Sequence, residues 1–86
     1  MKAEIELIPH VNITVKVYET ETGILVKEQD INKSKVKTRL MFLNLNEVSH
    51  TLKVFNRNSS EGEQLSQYEF LPIKKVPKKE LQHAEK

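Results

Sequence analysis

Residues 5–17 read Ile-Glu-Leu-Ile-Pro-His-Val-Asn-Ile-Thr-Val-Lys-Val. Ile5, Leu7, Pro9, Val11, Ile13, Val15 and Val17 form one apolar stripe at every second position, with mostly polar residues between them. A period of two is the mark of a β-strand with one buried face. Fully extended at about 3.3 Å per residue, the stretch would run roughly 43 Å. A compact chain of this size has a radius of gyration of only about 12 Å, so the stripe has to bend. Pro9 marks the bend, because proline offers no N–H to a ladder and is tolerated at edges, strand starts and bulges. A first strand that bends from one sheet into another is what a small β-sandwich or partly open barrel requires.

Working outward, Gly23 can take positive φ without steric cost. Residues 20–23 are therefore expected to form a four-residue hairpin loop that sets Val17 opposite Val26 and Tyr18 opposite Leu25. Residues 36–45 predict the next strand, with Val36, Thr38, Leu40 and Phe42 on one face and Lys35, Lys37 and Arg39 on the other. Its second half is apolar throughout (Leu40, Met41, Phe42, Leu43, then Leu45), which predicts cover on both faces. Residues 50–56 predict a strand with Leu52 and Val54 on one side and Thr51 and Phe55 on the other, and residues 66–71 predict a last one. Between them, residues 56–63 are polar and hold a glycine, the composition of a mobile loop. Pro72 and Pro77 stop regular pairing, and residues 74–86 read as a basic tail, disordered or a short frayed helix. Nothing sustains a period of 3.6. The expected fold is all-β: a small antiparallel β-sandwich or partly open barrel of about five strands, in a single domain spanning residues 1–73.

The chain of 86 residues has no cysteine, which removes disulfides, thiolate zinc sites and cysteine nucleophiles from consideration. Acidic residues interrupt the N-terminal stretch and no apolar run approaches membrane-spanning length, so a soluble, cytoplasmic protein is expected. Formal charge is +2, distributed in blocks. Residues 1–30 carry −3, residues 31–58 carry +5, residues 59–73 carry −3 and residues 74–86 carry +3. Alternating signs predict complementarity between paired strands. Twelve of the fourteen basic residues are lysine, whereas forked recognition of phosphate and guanine favours arginine. The richness in Lys, Asn and Ile suits an AT-rich bacterial or phage genome.

Candidate chemistry is sparse. His10, His50 and His83 show none of the spacings that bring ligands to one metal. Asp30 is the sole aspartate, and no nucleophile-elbow pattern accompanies it. The pairs Glu4/Glu6, Glu19/Glu21 and Glu61/Glu63 place two carboxylates on one strand face but beside loops or edges, without an apolar surround. Two distant glycines cannot build a phosphate-cradling loop. The expectation is a non-enzymatic protein with no cofactor and no metal.

Two features remain. Lys33, Lys35, Lys37 and Arg39 alternate, and on a strand they would line one side about 7 Å apart, a spacing comparable to that of backbone phosphates. With Lys74, Lys75, Lys78 and Lys79 and the aromatics Tyr18, Phe55 and Tyr68, they define one reading: a sequence-tolerant single-stranded nucleic-acid binder. Met41, Leu43 and Leu45 alternate out of phase with Leu40 and Phe42, and three large apolar side chains exposed together are of a size typical of interaction sites. They define the leading reading, a protein-protein interaction or assembly module, such as a bacterial or phage accessory protein. It would bind another protein, or a second copy of itself, through those residues or by strand addition at an exposed edge.

Overall fold

The computed structural model describes residues 1–72, and the expected basic tail lies outside the described residues. The described chain is all-β, with six strands in two open antiparallel sheets rather than a closed barrel. The strands are β1 (Ala3–Leu7), β2 (Ile13–Glu19), β3 (Leu25–Ile31), β4 (Thr38–Phe42), β5 (His50–Asn56) and β6 (Gln64–Phe70). β1 pairs with β4 in a two-stranded sheet, and the other four form a sheet ordered β3-β2-β5-β6. No helix among the described residues is long and apolar enough to cross a membrane.

The opening stripe does divide at Pro9. Its first half, β1, belongs to the two-stranded sheet and its second half, β2, to the four-stranded one. The described residues thus yield six strands where about five were expected. Ala3, Leu40, Phe42 and Leu45 from the small sheet side meet Ile13, Val15, Val17, Ile31, Leu52 and Val54 from the large one in a single buried cluster. Side chains alternate about the sheet plane. The register Ala3↔Phe42, Ile5↔Leu40 and Leu7↔Thr38 accordingly points those pairs inward, and Glu4↔Met41 and Glu6↔Arg39 outward.

The hairpin between β2 and β3 closes as expected. Glu19 N–H donates to the Ile24 carbonyl and Gly23 N–H to the Glu19 carbonyl, with Gly23 at φ 71°. Tyr18 faces Leu25, but Val17 faces Lys27 rather than Val26. Val26 is the extra residue of a bulge, which returns the rest of β3 to the opposite phase. A matching bulge in β6 leaves Leu65 unpaired between Val54↔Ser66 and Phe55↔Gln64.

Residues 36–45 depart furthest from expectation. The strand begins only at Thr38, because the preceding residues are held by local and crossing hydrogen bonds instead of a ladder. Ser34 N–H donates to the Pro9 carbonyl, Lys33 N–H to Asn12 Oδ1, and Val36 N–H to Ser34 Oγ. The strand ends at Phe42, and Asn44 follows in the left-handed region at φ 60°, which asparagine tolerates better than other side chains. Leu45 N–H then bonds to the Met1 carbonyl. Continuing the β1–β4 register would set Met1 opposite Asn44, so the left-handed residue inserts one position and reverses the phase from Leu45 onward. The polar stretch 56–63 is likewise tied, with Asn56 N–H on the Glu63 carbonyl and both Glu61 and Glu63 N–H on Ser59 Oγ.

Candidate functional site

Phase reversal at Asn44 decides the fate of the apolar row. Leu45 is 5% exposed and belongs to the core, whereas Met41 and Leu43 are 48% and 51% exposed. The three residues do not share a surface: the expected row is reduced to Met41 and Leu43, and the segment is not covered on both faces.

The basic row is also broken up. Only Arg39 lies on a strand; Lys33, Lys35 and Lys37 sit in the connection before β4. Arg39 Nε lies 3.2 Å from Glu4 and its Nη2 3.3 Å from Glu6, while Lys37 Nζ lies 3.4 Å from Glu6. These pairs join the acidic first block to the basic second, as does Arg57 to Asp30 at 3.7 Å. Being exposed or half-exposed, each contributes about 0.2–1 kcal/mol. Their greater effect is to occupy half of the row. Lys33 and Lys35 instead border a shallow hollow of about 580 Å³ with Ile8, His10 and Ser34. Lys74, Lys75, Lys78 and Lys79 lie outside the described residues.

Lysines and aromatics do meet, but elsewhere. On the outer face of the four-stranded sheet Lys16 and Lys53 are directly opposed across β2 and β5. Like charges so placed repel, and each ammonium turns to a diagonal ring: Lys16 Nζ lies 5.3 Å from the Phe55 centroid and Lys53 Nζ 5.3 Å from that of Tyr18. Each such contact contributes about 0.5–1 kcal/mol at an exposed site. Glu28 stands opposite Lys16 on β3 and Glu69 opposite Thr51 on β6, so the lysines do not form a basic field. Sequence reasoning missed this cluster because β2 and β5 are separated by two strands, and nothing local announces that they pair.

His50 is fully buried on the inner face of β5. Its Nδ1 lies 2.6 Å from the Val48 carbonyl, to which it donates, and its ring stacks on Phe70 at 5.7 Å. Nε2 is buried without a hydrogen-bond partner among the described residues. Neither ring nitrogen is hydrogen-bonded to a carboxylate or hydroxyl among the described residues, and Glu19, which stands opposite His50 on β2, is hydrogen-bonded to Asn46 instead. Among the described residues no three His, Asp or Glu side chains are grouped to hold a metal ion.

What remains is the rim of the large sheet. Among the described residues, β3 and β6 are its edge strands. β6 has the sequence Gln-Leu-Ser-Gln-Tyr-Glu-Phe, with one charge and neither lysine nor proline. Its inward positions are Ser66, Tyr68 and Phe70, opposite Val54, Leu52 and His50. Phe70 packs against the core, but Tyr68 is 57% exposed. Beside Tyr68 runs a cleft of about 230 Å³ lined by Leu7, Ile8, Val54, Leu65 and Ser66. Compared with protein-family models, with curated proteins and with solved structures, the chain matches none.

Proposed function

We propose that this protein is a non-enzymatic interaction module that takes up an extended polypeptide segment at the free edge of β6. The observation that carries this reading is the combination of an unguarded edge with an adjoining apolar cleft. Added strands gain affinity from main-chain hydrogen bonds and selectivity from side-chain pockets at alternate positions, and β6 offers both. Backbone groups along its outer side have no partner strand among the described residues, and the Leu65–Tyr68 cleft would accept an apolar side chain. Met41 and Leu43 form a smaller patch on the opposite layer and are secondary to this reading.

The nucleic-acid reading draws less support. Glu4 and Glu6 engage Arg39 and Lys37, and Lys16 and Lys53 cap Phe55 and Tyr18, two of the three rings available for stacking.

The test is selection of displayed random peptides against the isotopically labelled protein, followed by amide mapping. The expected result is peptides that shift and protect β6 amides, with Tyr68→Lys weakening them at least tenfold. Peptides that bind elsewhere and leave β6 amides freely exchanging would overturn the proposal.

A further inference from the structure

We infer that the segment taken up by β6 is β6 of a second copy of this chain, antiparallel to the first about a two-fold axis passing by Tyr68. The inference rests on the strand-addition reading above and names the occupant. It begins from what a two-fold pairing demands: a strand must be complementary to its own reverse. Centred on Tyr68, the pairing sets Gln67 opposite Glu69 of the second copy, Ser66 opposite its Phe70, and the two Tyr68 rings opposite each other.

Each of these pairs is complementary in charge or size. Glu69 is the only charged residue of β6, and in this register it meets a neutral amide donor instead of another carboxylate, twice over. The smallest inward residue, Ser66, meets the largest apolar one, Phe70. Ser66 also lines the cleft beside Leu65 and Ile8, so the second copy's Phe70 would arrive at the mouth of an apolar hollow. The exposed Tyr68 rings would cover one another; directly opposed aromatic pairs are favourable on a sheet face. Main-chain pairing would join two four-stranded sheets into one of eight strands, removing the free edge from both copies.

The opposite rim is excluded by the same reasoning. In β3 the regular stretch after the bulge holds Lys27, Glu28 and Asp30. Lys27 faces the inner side, opposite Val17, where an added strand would trap its ammonium against apolar surface. Inward-pointing charge is one of the devices that keep edges single.

The absence of native cysteine makes the register directly measurable. In Tyr68→Cys the two thiols would stand on directly opposed residues, about 4.5–5.5 Å apart at Cα, within the span a disulfide accepts. In Gln67→Cys the symmetry-related positions are offset by two residues and lie about 8 Å apart, beyond that span. Expected results are a concentration-dependent dimer of the full chain in sedimentation, rapid oxidation of Tyr68→Cys to a covalent dimer, and at least tenfold slower oxidation of Gln67→Cys. Tyr68→Lys, at an exposed position, should be monomeric and retain the dispersed amide spectrum of the folded chain, losing only the concentration-dependent part of the wild-type melting temperature. A wild-type chain that stays monomeric at the sub-millimolar concentration of an NMR sample overturns the inference, and so does Gln67→Cys cross-linking as readily as Tyr68→Cys. If that monomer still takes selected peptides at β6, strand addition stands and the occupant is foreign. Should neither peptides nor a second copy protect β6, both readings fall.

Discussion

β3 and β6 are the two rims of one sheet, each seven residues long and each bulged once beside its hairpin turn. They are nevertheless finished differently. Between the bulge and the strand end, three of five residues in β3 are charged (Lys27, Glu28, Asp30) and only one in β6 (Glu69). The inner side of β3 is Lys27 and Gln29, ending on the buried Ile31, whereas that of β6 is Ser66, Tyr68 and Phe70. Since bulges are matched, charge and inward polarity separate a rim that water can finish from one that still presents aromatic surface. Being a rim is not by itself a docking signal, because both β3 and β6 are edges of the large sheet; the chemistry of the rim is.

The two rims should differ most in stability at their strand ends. Ile31→Ala removes buried volume where β3 is anchored and should cost about 2–4 kcal/mol in urea unfolding. Leu71→Ala, just past β6 and exposed, should stay within about 0.5 kcal/mol. Equal losses would mean that β6 is as closed as β3.

Parts of this architecture were legible in the sequence because they are local. The stripe of residues 5–17 is too long for the molecule, and Pro9 sits within it, so the bend followed from length and from a missing N–H. The hairpin at Gly23 and the strand at residues 50–56 follow from positive φ and alternation within a few residues. Leu45 was misplaced because one left-handed residue, Asn44, reverses the phase, and alternation carries no mark of an inserted position. Lys33, Lys35 and Lys37 look like a strand face, yet Ser34 and Asn12 side chains claim the backbone there. The composition of residues 64–70 was visible, but which strand becomes a rim depends on β2 pairing with β5, across two intervening strands.

Removing the guards from β3 should make the rims alike. Lys27→Val combined with Glu28→Gln and Asp30→Asn should create a second adhesive edge and raise self-association at least tenfold in sedimentation, with fibrous or precipitated material at high concentration. Smaller effects come from the contacts that seat each rim. Phe70→Leu removes the ring stacked on His50 and should cost about 1–1.5 kcal/mol. On the other rim, Thr14 Oγ1 donates to Asp30 at 2.7 Å, and Thr14→Val should cost about 0.5–1 kcal/mol in thermal or urea unfolding. If Thr14→Val proved the costlier change, β3 would owe its position to polar ties more than β6 does to packing.

The passage of one alternating stripe through two sheets also bears on the order of assembly. β2 and β3 are joined by five residues and β5 and β6 by seven, so both hairpins can close early at small entropic cost. β1 has no such neighbour: its partner β4 lies more than thirty residues along the chain, and distant pairings of this kind slow the folding of small β-domains. The expected sequence of events forms the hairpins first, then the β2–β5 seam, and the two-stranded layer last. Native-state hydrogen exchange should therefore find the shallowest protection in β1 and β4. In a chain made from its N-terminus, β1 emerges long before β4 and waits longer for its partner than the first strand of either hairpin does.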